Sequence, residues 1–245
     1  PYCVTSNGKQ EAGFAIVAYG KLGGIELNYG SDLDLVFLHD STGDQQLTDG
    51  PRQIDNPSFF AKMVQRIIHL LTARTGAGDL YEVDTRLRPS GRAGLLVSSF
   101  EAFAEYQRRQ AWTWEHQALT RTRIVAGPPG LAERYRSLRR EVLSIQRDPD
   151  ALRQEVGDMR ERMRAELDAS TAEIFDLKQG WGGIADIEFM VQYKVLANAN
   201  RYPDLLTYTD NIRQLDGLER FGILSIADAA RLRNAAAGLR NAVLP

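Results

Sequence analysis

The chain has 245 residues, 43% of them hydrophobic and 25% charged, and 30 Lys and Arg stand against 32 Asp and Glu for a formal net charge of −2. This composition is ordinary for a soluble globular protein of one large or two modest domains, and it excludes a global basic field drawing the chain to nucleic acid or an anionic membrane. The lone Cys3 excludes an internal disulfide and a Cys-rich zinc site and fits a reducing cytoplasm, and the longest apolar run, residues 14–19, is far too short to span a bilayer.

No signal peptide is visible, and a start at Pro1 with a stop at Pro245 after an unfinished helical pattern reads as a fragment of a longer protein. Residues 14–19, bounded by Gly13 and Gly20, read as a buried strand. A Gly-rich turn follows, then a second strand over 32–38. Residues 41–56 are polar, carry Gly43, Gly50 and Pro51, and read as a loop. Pro57 and Ser58 open a helix whose apolar residues recur from Phe59 to Leu71, and Gly76 and Gly78 are expected to end it. Residues 80–87 read as a third strand and 94–97 as a fourth, and Ser98 with Glu101 makes a capping box for the next helix. Gly127-Pro128-Pro129-Gly130 breaks the pattern and marks the expected domain boundary. Beyond it, 131–143, 152–167, 184–199, 210–221 and 226–242 read as helices of a bundle, with a Gly-rich loop over 178–183.

Asp32 and Asp34 lie two apart on the second strand, so their side chains share a face roughly 7 Å apart. On an otherwise apolar strand the two carboxylates repel each other, and each costs desolvation energy. Divalent cations relieve both penalties. Two Mg²⁺ ions about 4 Å apart can be bridged by such a pair, neutralise a triphosphate and activate an attacking oxygen. Gly20, Gly23 and Gly24 give a turn of little bulk, either for tightness alone or so that backbone N–H groups approach phosphate. Read as a strand, 81–88 puts Glu82, Asp84, Arg86 and Arg88 on one face. Asp84 is the choice for third ligand, with Glu82 as its competitor and a salt bridge to Arg86 or Arg88 as its alternative. The two arginines can clamp a triphosphate or pair with nearby carboxylates.

A Gly-rich turn followed by Asp-x-Asp between apolar residues resembles the signature of the polymerase-β-type nucleotidyltransferases. The longer strings Gly20-Lys21-Leu22-Gly23-Gly24, Glu26-Leu27 and Ser31-Asp32-Leu33-Asp34-Leu35 resemble glutamine synthetase adenylyltransferase. So do Val83-Asp84-Thr85-Arg86-Leu87-Arg88-Pro89-Ser90-Gly91, Trp112-Thr113-Trp114-Glu115-His116-Gln117-Ala118-Leu119 and Gly182-Gly183-Ile184-Ala185-Asp186-Ile187-Glu188-Phe189, and together they cover most of 13–215.

The resemblance implies an α+β fold: a polymerase-β-like nucleotidyltransferase domain, a small mixed sheet with helices, over 1–127, then an α-helical bundle over 128–245, truncated at its C-terminus. It implies a transfer of AMP from ATP to a tyrosine hydroxyl of glutamine synthetase. Asp32, Asp34 and Asp84 are the implied catalytic and metal-binding residues for two Mg²⁺ ions, with Mn²⁺ as substitute. Gly20, Lys21, Gly23, Gly24, Ser31, Arg86 and Arg88 are the implied ATP contacts. Many members carry Gly-Ser or Gly-Gly where this chain has Gly20-Lys21, and Lys21 is then assigned to phosphate. The PII signalling protein and glutamine are implied regulators, with no nucleic acid or membrane as partner. The alternatives are the AMP-removing half, which uses phosphate and releases ADP, a nucleotidyltransferase of small molecules or RNA, and a helical regulator-binding module with a decayed catalytic fold.

Other residues carry milder expectations. Trp112 and Trp114 read as domain-interface packing with adenine stacking as the alternative, and His116 as a hydrogen-bonded structural residue. Asp186 and Glu188 read as stabilisers of a helix N-terminus or as site-facing groups, and Glu26 as structural at the turn. The Arg-rich stretch 134–164 reads as a solvated face or a surface for a protein partner.

Overall fold

The computed structural model describes residues 1–5, 8–28, 30–41, 46–76, 78 and 81–243; Tyr29, Gly43, Leu80 and Pro245, which enter the sequence reading, lie outside them. A hairpin of β1 (Tyr2–Thr5) and β2 (Gly8–Glu11) opens the chain. β3 (Phe14–Ala18) runs into a single helical turn, α1 (Gly20–Gly23), and the chain returns as β4 (Leu33–His39), antiparallel to β3 with Phe14 opposite His39 and Ala18 opposite Leu35. Leu33, Leu35, Val36, Phe37 and Leu38 of β4 are all buried. A run apolar on both faces is what a strand covered on both faces requires.

α2 (Asn56–Leu71) covers this strand pair. Asp55 caps it by accepting the Ser58 N–H at 2.8 Å, and Pro57 sits in the first turn, where a missing N–H is harmless. Phe60 stacks on Phe14 with ring centroids 5.8 Å apart, and Phe14 stacks on Phe37 at 6.1 Å. The helix ends at Thr72, whose N–H and hydroxyl both bond the Ile68 carbonyl at 2.9 Å, and so stops before Gly76 and Gly78.

The third strand is shorter than expected. Among the described residues, β5 (Val83–Asp84) pairs in parallel with the start of β4, where the Leu33 N–H also donates to the Glu82 carbonyl, and the chain turns from Thr85 onward. Arg88 causes the turn: its guanidinium donates to the carbonyls of Thr85, Gly94 and Arg92 and to Thr85 Oγ1, so it gathers residues 85–94. β6 (Val97–Ser99) comes later than expected and runs parallel to the end of β4. α3 (Phe100–Arg109) follows, capped by Ser99 rather than Ser98, with the Ala102 N–H donating to Ser99 Oγ at 3.1 Å. After α4 (Thr113–Leu119), β7 (Arg123–Ala126) adds to β3 antiparallel, so the sheet runs β5-β4-β3-β7 with β6 also beside β4. α5 (Pro129–Leu143), α6 (Pro149–Leu167), α7 (Ile184–Asn198), α8 (Asn211–Arg220) and α9 (Ile226–Val243) complete the chain.

The residues cluster into two units, Pro1–Ala111 with Thr122–Arg139, and Trp112–Arg121 with Arg140–Pro245. The boundary expected after residue 127 therefore falls inside the first unit. Gly127 and Pro128 link β7 to α5, whose first turn takes in Pro129 and Gly130, and β7 and α5 as far as Arg139 belong to the sheet unit. Tyr135 is buried and donates to Thr122 Oγ1 at 2.7 Å, while Arg134 pairs with Glu101 at 2.6 Å and lies over the Phe100 ring. In the second unit the described regular structure is helical, with Leu152, Val156, Val191, Val195, Leu215 and Leu218 inside and Asp148 and Asp210 capping α6 and α8. The architecture is thus α+β, a small mixed sheet with helices together with a helical unit.

Candidate active site

The turn after β3 is built around Asp34. Tyr19 N–H donates to the Asp34 carbonyl at 2.9 Å, which fixes the start of α1 against β4. Gly20 has φ +53, and a side-chain carbon there would run into Asp34 Oδ2. Glycine is thus needed twice at this position, for its backbone angle and for the carboxylate pressed against it. The N–H groups of Gly23 and Gly24 are taken by the carbonyls of Tyr19 and Gly20, each at 2.9 Å. Phosphate contact by this turn would therefore fall to the first N–H groups of α1, which have no partner within a helix. Lys21 Nζ reaches Ser31 Oγ at 3.3 Å, and buried Ser31 donates to Asn28 Oδ1. Lys21 and Ser31 brace the loop leading into β4. Arg123 of β7, which the sequence reading passed over, donates to the Leu22 carbonyl at 3.1 Å and holds the turn from the other side.

β5 supplies the third carboxylate. Asp34 and Asp84 are partners in the parallel β4–β5 register. Directly paired residues of neighbouring strands stand about 5 Å apart on one face, so these two carboxylates are neighbours. Asp32, just before β4, lines a cavity of about 400 Å³ with Glu82, Asp84, Arg86, Arg88 and Arg92. An adjoining cavity of about 810 Å³ shares Asp32, Glu82 and Val83 and runs over Gly30, Ser31, Thr72 and Tyr81.

Arg86 holds both oxygens of Asp84. Its N–H donates to Oδ1 at 2.8 Å, its Nε to Oδ2 at 2.6 Å, and its terminal nitrogen also pairs with Oδ2. Partial burial pushes the Asp84 carboxyl up, but the hydrogen bonds and charge of Arg86 outweigh it and hold the group below the ordinary aspartate value. The Arg86 guanidinium is raised in turn, first by its hydrogen bond to Asp84 and the Asp84 charge, with Asp34 and Asp32 adding to it. Among the described residues no three His, Cys, Asp or Glu side chains stand as a ready metal cage. The donor set nevertheless suits Mg²⁺, because carboxylate oxygens are the hard ligands it takes, and both oxygens of Asp84 are bonded to Arg86.

Arg88 lines the same cavity, and its guanidinium donates to carbonyls of its own turn. Arg92, exposed on the cavity, is a cation the sequence reading missed. Trp112 is 71% exposed rather than packed, and its N–H donates to Glu115 at 2.9 Å. His116 meets Arg147 at 3.3 Å, as a structural residue would. Asp186 accepts from Arg160 at 2.6 Å, from Arg164 at 2.7 Å and from the Gly182 N–H at 2.7 Å, while Glu188 pairs with Arg121. Both acids of α7 are thereby engaged inside the helical unit, tying the 178–183 loop to α6.

A family model described as glutamate-ammonia ligase adenylyltransferase matches residues 2–137, and one described as GlnD PII-uridylyltransferase matches 150–243. The bifunctional glutamine synthetase adenylyltransferase/adenylyl-removing enzyme of Thioalkalivibrio sulfidiphilus is 57% identical over 243 residues, which are 99% of this chain and 25% of that protein. The proteins of that name from Hahella chejuensis and Pseudomonas syringae pv. tomato are 55% and 54% identical over 89% and 95% of this chain, and 23% and 25% of their own lengths. The chain thus spans about a quarter of the length of these relatives. The small mixed sheet fits the polymerase-β-like nucleotidyltransferase fold. With more than half of its residues matched by the first model, the chain belongs to the glutamate-ammonia ligase adenylyltransferase family.

Proposed function

We propose that this chain transfers AMP from ATP to a tyrosine hydroxyl of glutamine synthetase and releases pyrophosphate. The observation that carries the reading is the carboxylate set: Asp34 and Asp84 adjacent across β4 and β5, with Asp32 and Asp84 on one arginine-rimmed cavity. Asp32, Asp34 and Asp84 would hold two Mg²⁺ or Mn²⁺ ions, which when bound neutralise the triphosphate and lower the pKa of the attacking hydroxyl.

The chain's own residues position the reactants. Gly20 leaves room for Asp34 and brings the start of α1 beside it, Lys21 and Ser31 keep the loop in place, and Arg86 and Arg92 offer guanidinium groups to the phosphates. The tyrosine oxygen attacks the α-phosphorus in line, its proton leaves, and pyrophosphate departs. No side-chain nucleophile of this chain takes part, so catalysis rests on positioning and electrostatics. Control by the PII signalling protein and glutamine, and a cytoplasmic setting, belong to the same proposal, on the strength of family membership. No helix among the described residues is long and apolar enough to cross a membrane.

A second reading has a specific support, because the relatives are named for both adenylyl transfer and adenylyl removal. One experiment separates the two. The chain is mixed with unmodified glutamine synthetase, α-labelled ATP and Mg²⁺, and label on the protein is followed; a parallel tube holds adenylylated glutamine synthetase with phosphate and is assayed for ADP. Label that disappears in Asp32→Asn supports transfer, ADP without label moves the chain to the removing reaction, and silence in both tubes contradicts the proposal.

A further inference from the structure

The cavity sets three carboxylates, Asp32, Glu82 and Asp84, among three guanidinium groups, Arg86, Arg88 and Arg92. Arg86, two residues beyond Asp84, is the one that grips a carboxylate of the candidate metal set. Its guanidinium and backbone N–H occupy both oxygens of Asp84, and the charges of Asp34 and Asp32 also act on it. Arg86 thus grips one of the three carboxylates assigned above to the divalent ions and feels the charge of the other two, while Arg92 acts on Asp84 by charge.

The pair is unequal in burial: the Arg86 side chain is 63% exposed and that of Asp84 only 17%. The carboxylate is fixed by strand pairing, with Asp84 opposite Asp34 in the β4–β5 register. The arginine belongs to the turn that follows and can swing into the cavity it lines. Arg88 and Arg92 do not duplicate it. Arg88 is tied to carbonyls of the 85–94 turn, and none of the Asp84 hydrogen bonds comes from Arg92.

We infer that Arg86 is an exchangeable counter-cation of this site, occupying Asp84 and yielding it only when a divalent ion and a triphosphate arrive together. The inference rests on the metal-dependent reading above and deepens it. A divalent ion alone has to displace the guanidinium, which is then left without a partner. A triphosphate gives the displaced guanidinium a new anion with matching geometry, so metal and nucleotide should bind cooperatively. Arg86 is then a positioning residue in the free state and a phosphate ligand in the loaded one.

The test is direct Mn²⁺ binding, read as loss of the free-ion electron paramagnetic resonance signal, for wild type, Arg86→Gln, Arg86→Lys and Asp84→Asn, each with and without a non-hydrolysable ATP analogue. Without nucleotide, Arg86→Gln should bind Mn²⁺ about two- to fivefold more tightly than wild type, the scale expected for losing one partly exposed ion pair. The analogue should tighten Mn²⁺ binding to wild type and do so markedly less for Arg86→Gln. Arg86→Lys keeps the charge but not the two-pronged grip and should fall between. Equal or weaker Mn²⁺ binding by Arg86→Gln, with wild type binding normally in the presence of nucleotide, overturns the exchange but leaves the metal reading standing. No Mn²⁺ binding by wild type even with nucleotide, or unchanged binding by Asp84→Asn, overturns the metal reading and the exchange with it.

Discussion

Two aspartates of this molecule are each held by arginine, and they are held for different ends. In the sheet unit, Asp84 is gripped by Arg86, whose side chain is 63% exposed and hangs from a turn. In the helical unit, Asp186 is gripped by Arg160 and Arg164, whose side chains are 7% and 8% exposed and rise from the second half of α6. Arg160 is further fixed by Gln179, through its side chain at 3.1 Å and its carbonyl at 2.7 Å, and Arg164 lies over the Trp181 ring at 3.5 Å. The buried cluster has no slack. The exposed pair can come apart without disturbing a core, because only a solvent-facing guanidinium has to move. An ion pair marks a candidate site, then, when one partner is free to leave and the carboxylate faces a cavity.

The contrast predicts a graded series. Arg160→Ala should be the most damaging to stability, by about 3 kcal/mol, because it takes from Asp186 one of its two arginines and leaves the Gln179 carbonyl without its donor; the urea midpoint measures it. Gly20→Ala should cost about 1–3 kcal/mol for a residue forced to φ +53. It should also lose most of the transfer activity, since the new methyl displaces the Asp34 carboxylate, and a melting curve beside a label-transfer assay separates the two effects.

Acidification should weaken both grips. The Asp186 carboxyl, which burial pushes up, is brought below its ordinary value by the Gly182 N–H and the hydrogen bonds and charges of Arg160 and Arg164, and Asp84 is lowered by Arg86. A lowered folded value means stability that is present above the unfolded aspartate pKa of about 3.9 and lost as pH falls through the folded one. Asp186→Asn and Asp84→Asn should therefore each flatten the acid limb of a stability-against-pH curve. The smallest effect belongs to Arg86→Gln, which should change the urea midpoint by less than about 1 kcal/mol, as exposed pairs do.

Much of this arrangement was legible in the sequence, for identifiable reasons. β3 is an unbroken apolar run, β4 is one interrupted by Asp34, and α2, α5 and α6 carry helical periodicity. Asp32, Asp34 and Asp84 were readable as a set because carboxylates on apolar strands demand an explanation, and the register places Asp34 beside Asp84. What escaped is what side chains decide locally. β7 is four residues beginning with an arginine, and only its partner β3 makes it a strand. The expected strand over 80–87 ends at Asp84 because Arg88 finds carbonyls in its own turn, which no alternation pattern records. Gly127 to Gly130 looks like a domain break, but it only carries the chain from β7 into an α5 whose Arg134 and Tyr135 bind back onto Glu101 and Thr122. Arg92 and Arg123 carry no motif, and their roles come from the cavity and the carbonyl they reach.

The central claim is that Asp34 belongs to the chemistry and Asp186 to the frame. The most direct test compares Asp34→Asn and Asp186→Asn in one assay, following label from α-labelled ATP onto glutamine synthetase and normalising to the folded fraction by circular dichroism. The account predicts that Asp34→Asn keeps the wild-type urea midpoint and loses incorporation at least a hundredfold (~2.7 kcal/mol of transition-state stabilisation), while Asp186→Asn melts earlier yet transfers near normally per folded molecule. Incorporation preserved in Asp34→Asn, or abolished in a fully folded Asp186→Asn, would contradict it.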